Sequence, residues 1–132
     1  MQVGGVPNRI ISCSNTQQLY DAAIELWGSD EHFHVLAGGS NTVFAEDLED
    51  LTILHVTNRG VEIVSEDAQF VVVRVQAGHS WDEFVAWSVA NDYAGMEAMS
   101  GIPGSVGATP VQNVGGYGQE VSDVITQIEF LE

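Results

Sequence analysis

Gln112 and Asn113 are neutral amides in an apolar, glycine-rich setting, and each can both donate and accept hydrogen bonds. They sit in the run Ser100-Gly101-Ile102-Pro103-Gly104-Ser105-Val106-Gly107-Ala108-Thr109-Pro110-Val111-Gln112-Asn113-Val114-Gly115-Gly116-Tyr117-Gly118. Six of its nineteen positions are glycine, two are proline and none is charged. A backbone this bare allows something to approach it closely. The lack of carboxylates, in a chain otherwise rich in them, suits an anion. A shorter stretch of the same character precedes it: Leu36-Ala37-Gly38-Gly39-Ser40-Asn41-Thr42. Consecutive N–H groups of a glycine turn can form a concave nest for a phosphate oxygen, and Ser40 and Asn41 add side-chain donors. Such a turn also arises for structural reasons alone, and the long stretch can serve simply to pack two lobes. Together the two loops point to a large phosphate-bearing ligand.

Pro103 and Pro110 stiffen the long loop. Gly101, Gly104 and Gly107 are spaced by three, which can open a short helix toward a ligand. A flavin ring edge presents alternating acceptors and donors, and suits amides such as Gln112 and Asn113. Tyr117 either meets the ligand or closes a turn. The first loop is neither a Gly-x-Gly-x-x-Gly fingerprint nor a P-loop, since no Lys-Ser or Lys-Thr follows it. His32 and His34 share one face of a strand, while His55 and His79 are scattered. With one cysteine, Cys13, and no carboxylate at ligand spacing, no metal set is expected. No Ser-His-Asp arrangement can be assembled.

The wider composition bears on partners. The 132-residue chain has 19 acidic residues against three arginines, Arg9, Arg59 and Arg74, and no lysine, for a net charge of -16. Such a field repels nucleic acid and anionic membrane surfaces. Any phosphate must therefore be held by main-chain N–H groups and helix dipoles. The acidity reads as a solvated, solubilising surface or as adaptation to salt. The single Cys13 excludes an internal disulfide and reads as a small buried residue. No apolar run approaches the roughly 20 residues of a membrane span, and no signal peptide is visible, so a reducing cytoplasm is expected.

The elements that must position these loops follow from periodicity. Asn8 to Cys13 reads as a short strand. Ser14 reads as a helix N-cap with Gln17 as its box partner, and Leu19, Ala22, Ala23, Leu26 and Trp27 follow at helical spacing up to Gly28. Phe33 to Ala37 and Leu51 to Val56 are further strands, giving a small α/β unit with some parallel pairing. Val61–Ser65 and Phe70–Ala77 read as a hairpin around Glu66-Asp67-Ala68-Gln69, with Val71, Val73, Val75 and Ala77 on one face. Ser80 caps a helix with Glu83 as its box partner, and Trp81, Phe84, Val85 and Val89 form its stripe. Val124 to Leu131 reads as a closing strand. The expected fold class is α+β, with a first subdomain over 1–57 and a second over 58–132.

The two glycine loops, extended through Gln119-Glu120, closely resemble the flavin-binding part of the UDP-N-acetylenolpyruvoylglucosamine reductase family. The resemblance includes Val3-Gly4-Gly5 and spans essentially the whole chain. It implies a two-lobed FAD-binding domain of the vanillyl-alcohol-oxidase (PCMH) type, with a small α/β lobe and a mainly antiparallel lobe. By resemblance, Ala37, Gly38, Gly39, Ser40, Asn41 and Thr42 would hold the pyrophosphate. Ser100, Gly101, Ile102, Pro103, Gly104, Gly107, Ala108, Gln112, Asn113, Gly115, Tyr117 and Gly118 would line the flavin and its linker. No histidine stands in the first loop, so noncovalent FAD is implied, with NADPH as hydride donor in the full-length enzyme. The implied substrate is a nucleotide sugar of peptidoglycan synthesis. No nucleic acid, membrane or obligate protein partner is implied. Family enzymes are about twice this length or more, and their catalytic arginine, serine and late glutamate lie in regions absent here. The chain is thus expected to be a piece trimmed at both ends, with no catalytic residue and no activity alone. Two alternatives stand beside this one: the FAD domain of another oxidoreductase of the same fold, or a cofactor-free interaction domain.

Overall fold

The computed structural model describes residues 4–132. Val3, quoted above for the resemblance, lies outside the described residues, as do the first three positions of the expected 1–57 subdomain.

The chain begins with a β–α–β–β unit: β1 (Arg9–Cys13), α1 (Thr16–Trp27), β2 (His32–Leu36) and β3 (Leu51–Val56). The three strands form one sheet in the order β1-β3-β2, and both pairings are parallel. The central place of β3 explains why Thr52, Ile53 and Leu54 are all buried in succession, while the flanking strands are mostly half-buried or exposed. Helix α1 lays Ala22, Ala23 and Leu26 against this sheet, where they pack with Cys13 and Leu54. Burial pushes the Cys13 thiol up, in keeping with an inert small residue.

The cap of α1 is shifted from the expected position. Asn15, not Ser14, is the N-cap, and its side chain accepts the Gln18 N–H at 2.9 Å. Ser14 instead donates from its N–H and hydroxyl to Gln18 Oε1. Asparagine is as good an N-cap as serine, and here it sits one residue closer to the first turn.

The second half has its own core. Strands β4 (Val61–Glu66) and β5 (Val71–Val75) pair as an antiparallel hairpin with a register shift between Ile63 and Ser65. Helix α2 (Trp81–Ala90) is capped by Ser80, which accepts from the Glu83 N–H. Its buried stripe is Trp81, Phe84, Val85 and Ser88; Val89 is exposed. Ser88 satisfies its hydroxyl on the Val85 carbonyl at 2.8 Å, which lets a polar side chain take the inward place. Met99, Val114 and Val121 complete this cluster, and Val73 and Val75 of β5 pack against it as alternation expects.

Val124 to Leu131 is not a strand. An apolar run becomes one only where a sheet edge bonds its backbone, and among the described residues no backbone hydrogen bond joins this run to β5, which it meets through the Arg74–Glu129 ion pair at 3.8 Å. The last strands are instead short: β6 (Gly115–Gly116) and β7 (Gln119–Glu120), an antiparallel pair. The chain mixes helices with parallel and antiparallel sheets, as an α+β reading requires.

Candidate functional site

The two glycine loops meet. The first leaves the C-terminal end of β2, and the second hangs beside α2. Ser40 donates its hydroxyl to the Pro103 carbonyl at 3.4 Å, and Asn41 Nδ2 donates to Gln112 Oε1 at 2.8 Å. A methyl placed on Gly104 would lie 3.6 Å from Ser40 Oγ, and one on Gly38 would lie 3.9 Å from the Gly104 Cα. The two loops thus face each other at van der Waals range, and it is the φ of 135° at Gly104 that calls for glycine there.

Both loops line a cleft of about 260 Å³. Of the site residues expected from sequence, it gathers Ala37, Gly38, Gly39, Ser40, Asn41, Thr42, Ile102, Pro103, Gly104, Ala108 and Gln112. Val35, Trp81, Ser105, Thr109, Val111 and Val114 line it too. No lining residue carries a charge. All three arginines are paired elsewhere: Arg9 with Glu25 and Glu31, Arg59 with Glu83, Arg74 with Glu62 and Glu129. A second, more open cleft holds Arg59, Arg74 and Glu62 at the start of α1, but neither glycine loop reaches it.

The remaining expected residues stand outside the cleft. Ser100 and Gly101 donate to Asp82 Oδ1 in the first turn of α2, from hydroxyl and N–H respectively. Gly107 is packed against Ala77, where an added Cβ would meet the Ala77 Cβ at 2.6 Å. Asn113 has φ 46° and spends its amide on Glu120 and the Ser122 N–H. Gly115 pairs with Glu120 in the β6–β7 hairpin. Tyr117 and Gly118 form its tip with φ of 52° and 87°, and Tyr117 is 99% exposed. Positive φ at two central residues marks the turn that two-residue hairpins favour. The spacing of Gly101, Gly104 and Gly107 produces a single 3-10 turn, Val106–Ala108.

Trp81, Ser105 and Val114 were not legible as site residues. Trp81 and Val114 also belong to the core, and only the folded loop shows that they reach the cleft. Ser105 is 5% exposed, and its hydroxyl has no hydrogen-bond partner. An unpaired buried hydroxyl beside a cavity is what a site awaiting a polar group leaves behind.

The arrangement fits a flavin nucleotide. Glycine-rich backbone, neutral amides and hydroxyls line the cleft where an acidic protein would otherwise repel phosphate, and Val35, Ile102 and Val111 offer apolar surface for a ring. Among the described residues no group of three or more histidine, cysteine or carboxylate side chains could hold a metal, and no helix is long and apolar enough to cross a membrane.

Comparison with known proteins gives the family. A UDP-N-acetylenolpyruvoylglucosamine reductase of Leifsonia xyli is 45% identical over 132 residues, covering 100% of this chain and 35% of that protein. Proteins of the same name from Mycolicibacterium smegmatis and Mycobacterium tuberculosis are 44% and 42% identical, covering 100% of this chain and 35% and 36% of their own lengths. The chain therefore spans about a third of the relatives it matches. Residues 7–132 match the family described as FAD binding domain. With the match running through both loops and the uncharged cleft between them, the chain belongs to the FAD binding domain family.

Proposed function

We propose that this chain is the FAD-binding portion of an NADPH-dependent reductase that converts UDP-N-acetylenolpyruvoylglucosamine to UDP-N-acetylmuramate in peptidoglycan synthesis. The observation that carries the reading is the uncharged cleft at which Gly38 and Gly104 face each other, in a chain of net charge -16. The name shared by relatives at 42% to 45% identity supplies the substrate. The domain is of the PCMH type, with subdomains over 1–57 and 58–132, each around one of the two hydrophobic clusters.

The main-chain N–H groups of Gly38 to Asn41 hold the pyrophosphate. Val35, Ile102 and Val111 pack against the ring, which is worth roughly 25 cal/mol for each Å² of apolar surface removed from water. Gln112 and Asn41 satisfy each other in this structure and exchange partners with ring-edge or ribityl polar atoms. When bound, FAD supplies hydride transfer from NADPH to the double bond of the enolpyruvyl ether. The loop from Ala37 to Thr42 has no histidine, so attachment is noncovalent. The protein works in the cytoplasm on a small nucleotide sugar. The catalytic groups lie in the part of the relatives that this chain does not span.

Two measurements test the reading. Reconstitution with FAD, followed by gel filtration, should give a protein peak carrying the visible spectrum of oxidised flavin; a colourless peak at saturating FAD overturns the assignment. NADPH oxidation in the presence of the UDP-enolpyruvyl sugar should show no turnover by the chain alone, and clear turnover would show that the catalytic groups are here after all.

A further inference from the structure

We infer that Asn58, which does not line the flavin cleft, is a positioning residue for it: its side chain fixes the strip from which the second glycine loop hangs. The inference rests on the flavin reading above.

Asn58 is 3% exposed and follows directly on Thr57, whose N–H and hydroxyl both donate to the Cys13 carbonyl at the end of β1, at 2.9 and 3.0 Å. Its backbone is thus anchored to the parallel sheet. Its side chain reaches the other half. Asn58 Oδ1 accepts the Gly78 N–H at 3.0 Å, and Nδ2 donates to Gln76 Oε1 at 2.8 Å. Gln76 Oε1 also accepts from Thr16 Oγ1, at the start of α1, at 3.0 Å. Contact is tight, since a Cβ on Gly78 would lie 2.7 Å from the main-chain nitrogen of Asn58 and 2.8 Å from its main-chain carbonyl oxygen.

The strip so held carries the loop. Gly107 N–H donates to the Ala77 carbonyl at 2.8 Å, and Val106 N–H to the His79 carbonyl at 2.9 Å. The Trp81 N–H in turn donates to the Gly104 carbonyl at 3.0 Å. Gly104, Ser105 and Ala108, which line the cleft, are therefore placed by residues 77–81. The first loop is placed by the parallel sheet. Asn58 is the buried side chain that joins the two supports, and its amide offers one acceptor and one donor for these two partners. A small error in this joint becomes an error in how the two loops face each other.

The test is FAD titration of the full chain, read by quenching of flavin fluorescence, alongside thermal unfolding of the ligand-free protein. Asn58→Leu keeps the branched shape of the side chain and removes both bonds. Mutations that touch no ligand shift coupling modestly, so FAD binding should weaken about ten-fold while the ligand-free chain still melts cooperatively. Asn58→Asp keeps the acceptor for Gly78, and rotation of the Gln76 amide presents a donor to it, so binding should stay within about three-fold of the original chain. Should Asn58→Leu fail to fold, Gln76→Met, which cuts the link to Thr16 and Nδ2 alone, should still weaken binding. A folded Asn58→Leu, or failing that Gln76→Met, with unchanged FAD affinity overturns the inference alone. Failure of the original chain to bind FAD removes the flavin reading and this inference with it.

Discussion

Gly104 has φ 135°, a backbone conformation that L side chains rarely adopt, and it stands where the two loops nearly touch. A β-branched residue there carries strain of about 1–3 kcal/mol and directs a methyl toward Ser40. Gly104→Val should therefore lose flavin retention while the parallel sheet, which Gly104 does not touch, stays folded. A variant that copurifies yellow would show that the cleft lies elsewhere. Both loops were legible because residue type carries the information: bare backbone and missing charge are visible without coordinates. Ser105 was not, since a serine inside a glycine run looks like any other polar loop residue until its hydroxyl is seen to be buried and unpaired. Tyr117 shows the opposite case. Its place between glycines allowed either contact with a ligand or a role in closing a turn, and in this chain the two-residue turn puts it at a hairpin tip in solvent.

Among the elements, the β4–β5 hairpin depends on one carboxylate. Asp67 Oδ1 accepts the N–H groups of Gln69 and Phe70 at 2.7 and 2.8 Å, while the Asp67 N–H closes the turn on the Phe70 carbonyl. The bond from Gln69, then that from Phe70, hold the Asp67 carboxyl below the ordinary carboxylate range. A lowered folded-state value means that the stabilisation is complete above the unfolded value of about 3.9 and is lost as pH falls through the folded one. The destabilisation caused by Asp67→Ala should accordingly be larger at pH 6 than at pH 3, measured by urea unfolding of both proteins at each pH. An equal difference at the two pH values would show that the turn holds without the charge. Element types were mostly readable, because the alternation in β5 and the helical stripe of α1 are strong periodic signals. The α1 cap and the closing strand were misread. Ser14 and Asn15 are both good caps, so the choice turned on geometry. The apolar run after Val124 has strand composition, but composition cannot show whether an edge is present to receive it.

Over the whole molecule, charge is the dominant bias. Nineteen carboxylates against three arginines repel one another across a small surface, and the ion pairs of the arginines are all solvent-exposed and individually weak. Salt shortens the Debye length from about 30 Å at 0.01 M to about 3 Å at 1 M. The thermal midpoint of the ligand-free chain should thus rise by a few degrees over that range of sodium chloride; a midpoint that falls would mean that the ion pairs outweigh the repulsion. The α+β class was legible at this scale from the order of strand and helix patterns. The joining of the two halves through Asn58, Gln76 and Thr16 was not, because those residues are 18 to 60 positions apart and each looks ordinary in its own neighbourhood.

Trp81 reaches the cleft from the buried start of α2, its indole N–H held by the Met99 carbonyl at 3.0 Å, whereas Trp27 is 51% exposed on α1 and Trp87 stacks on Phe84. The chain therefore contains its own optical probe. A conjugated ring seated in the cleft would drain indole emission by energy transfer, that of Trp81 the most, at the blue edge where a water-free tryptophan glows. Occupancy could be followed in the native protein, without a dye, a label or an engineered reporter.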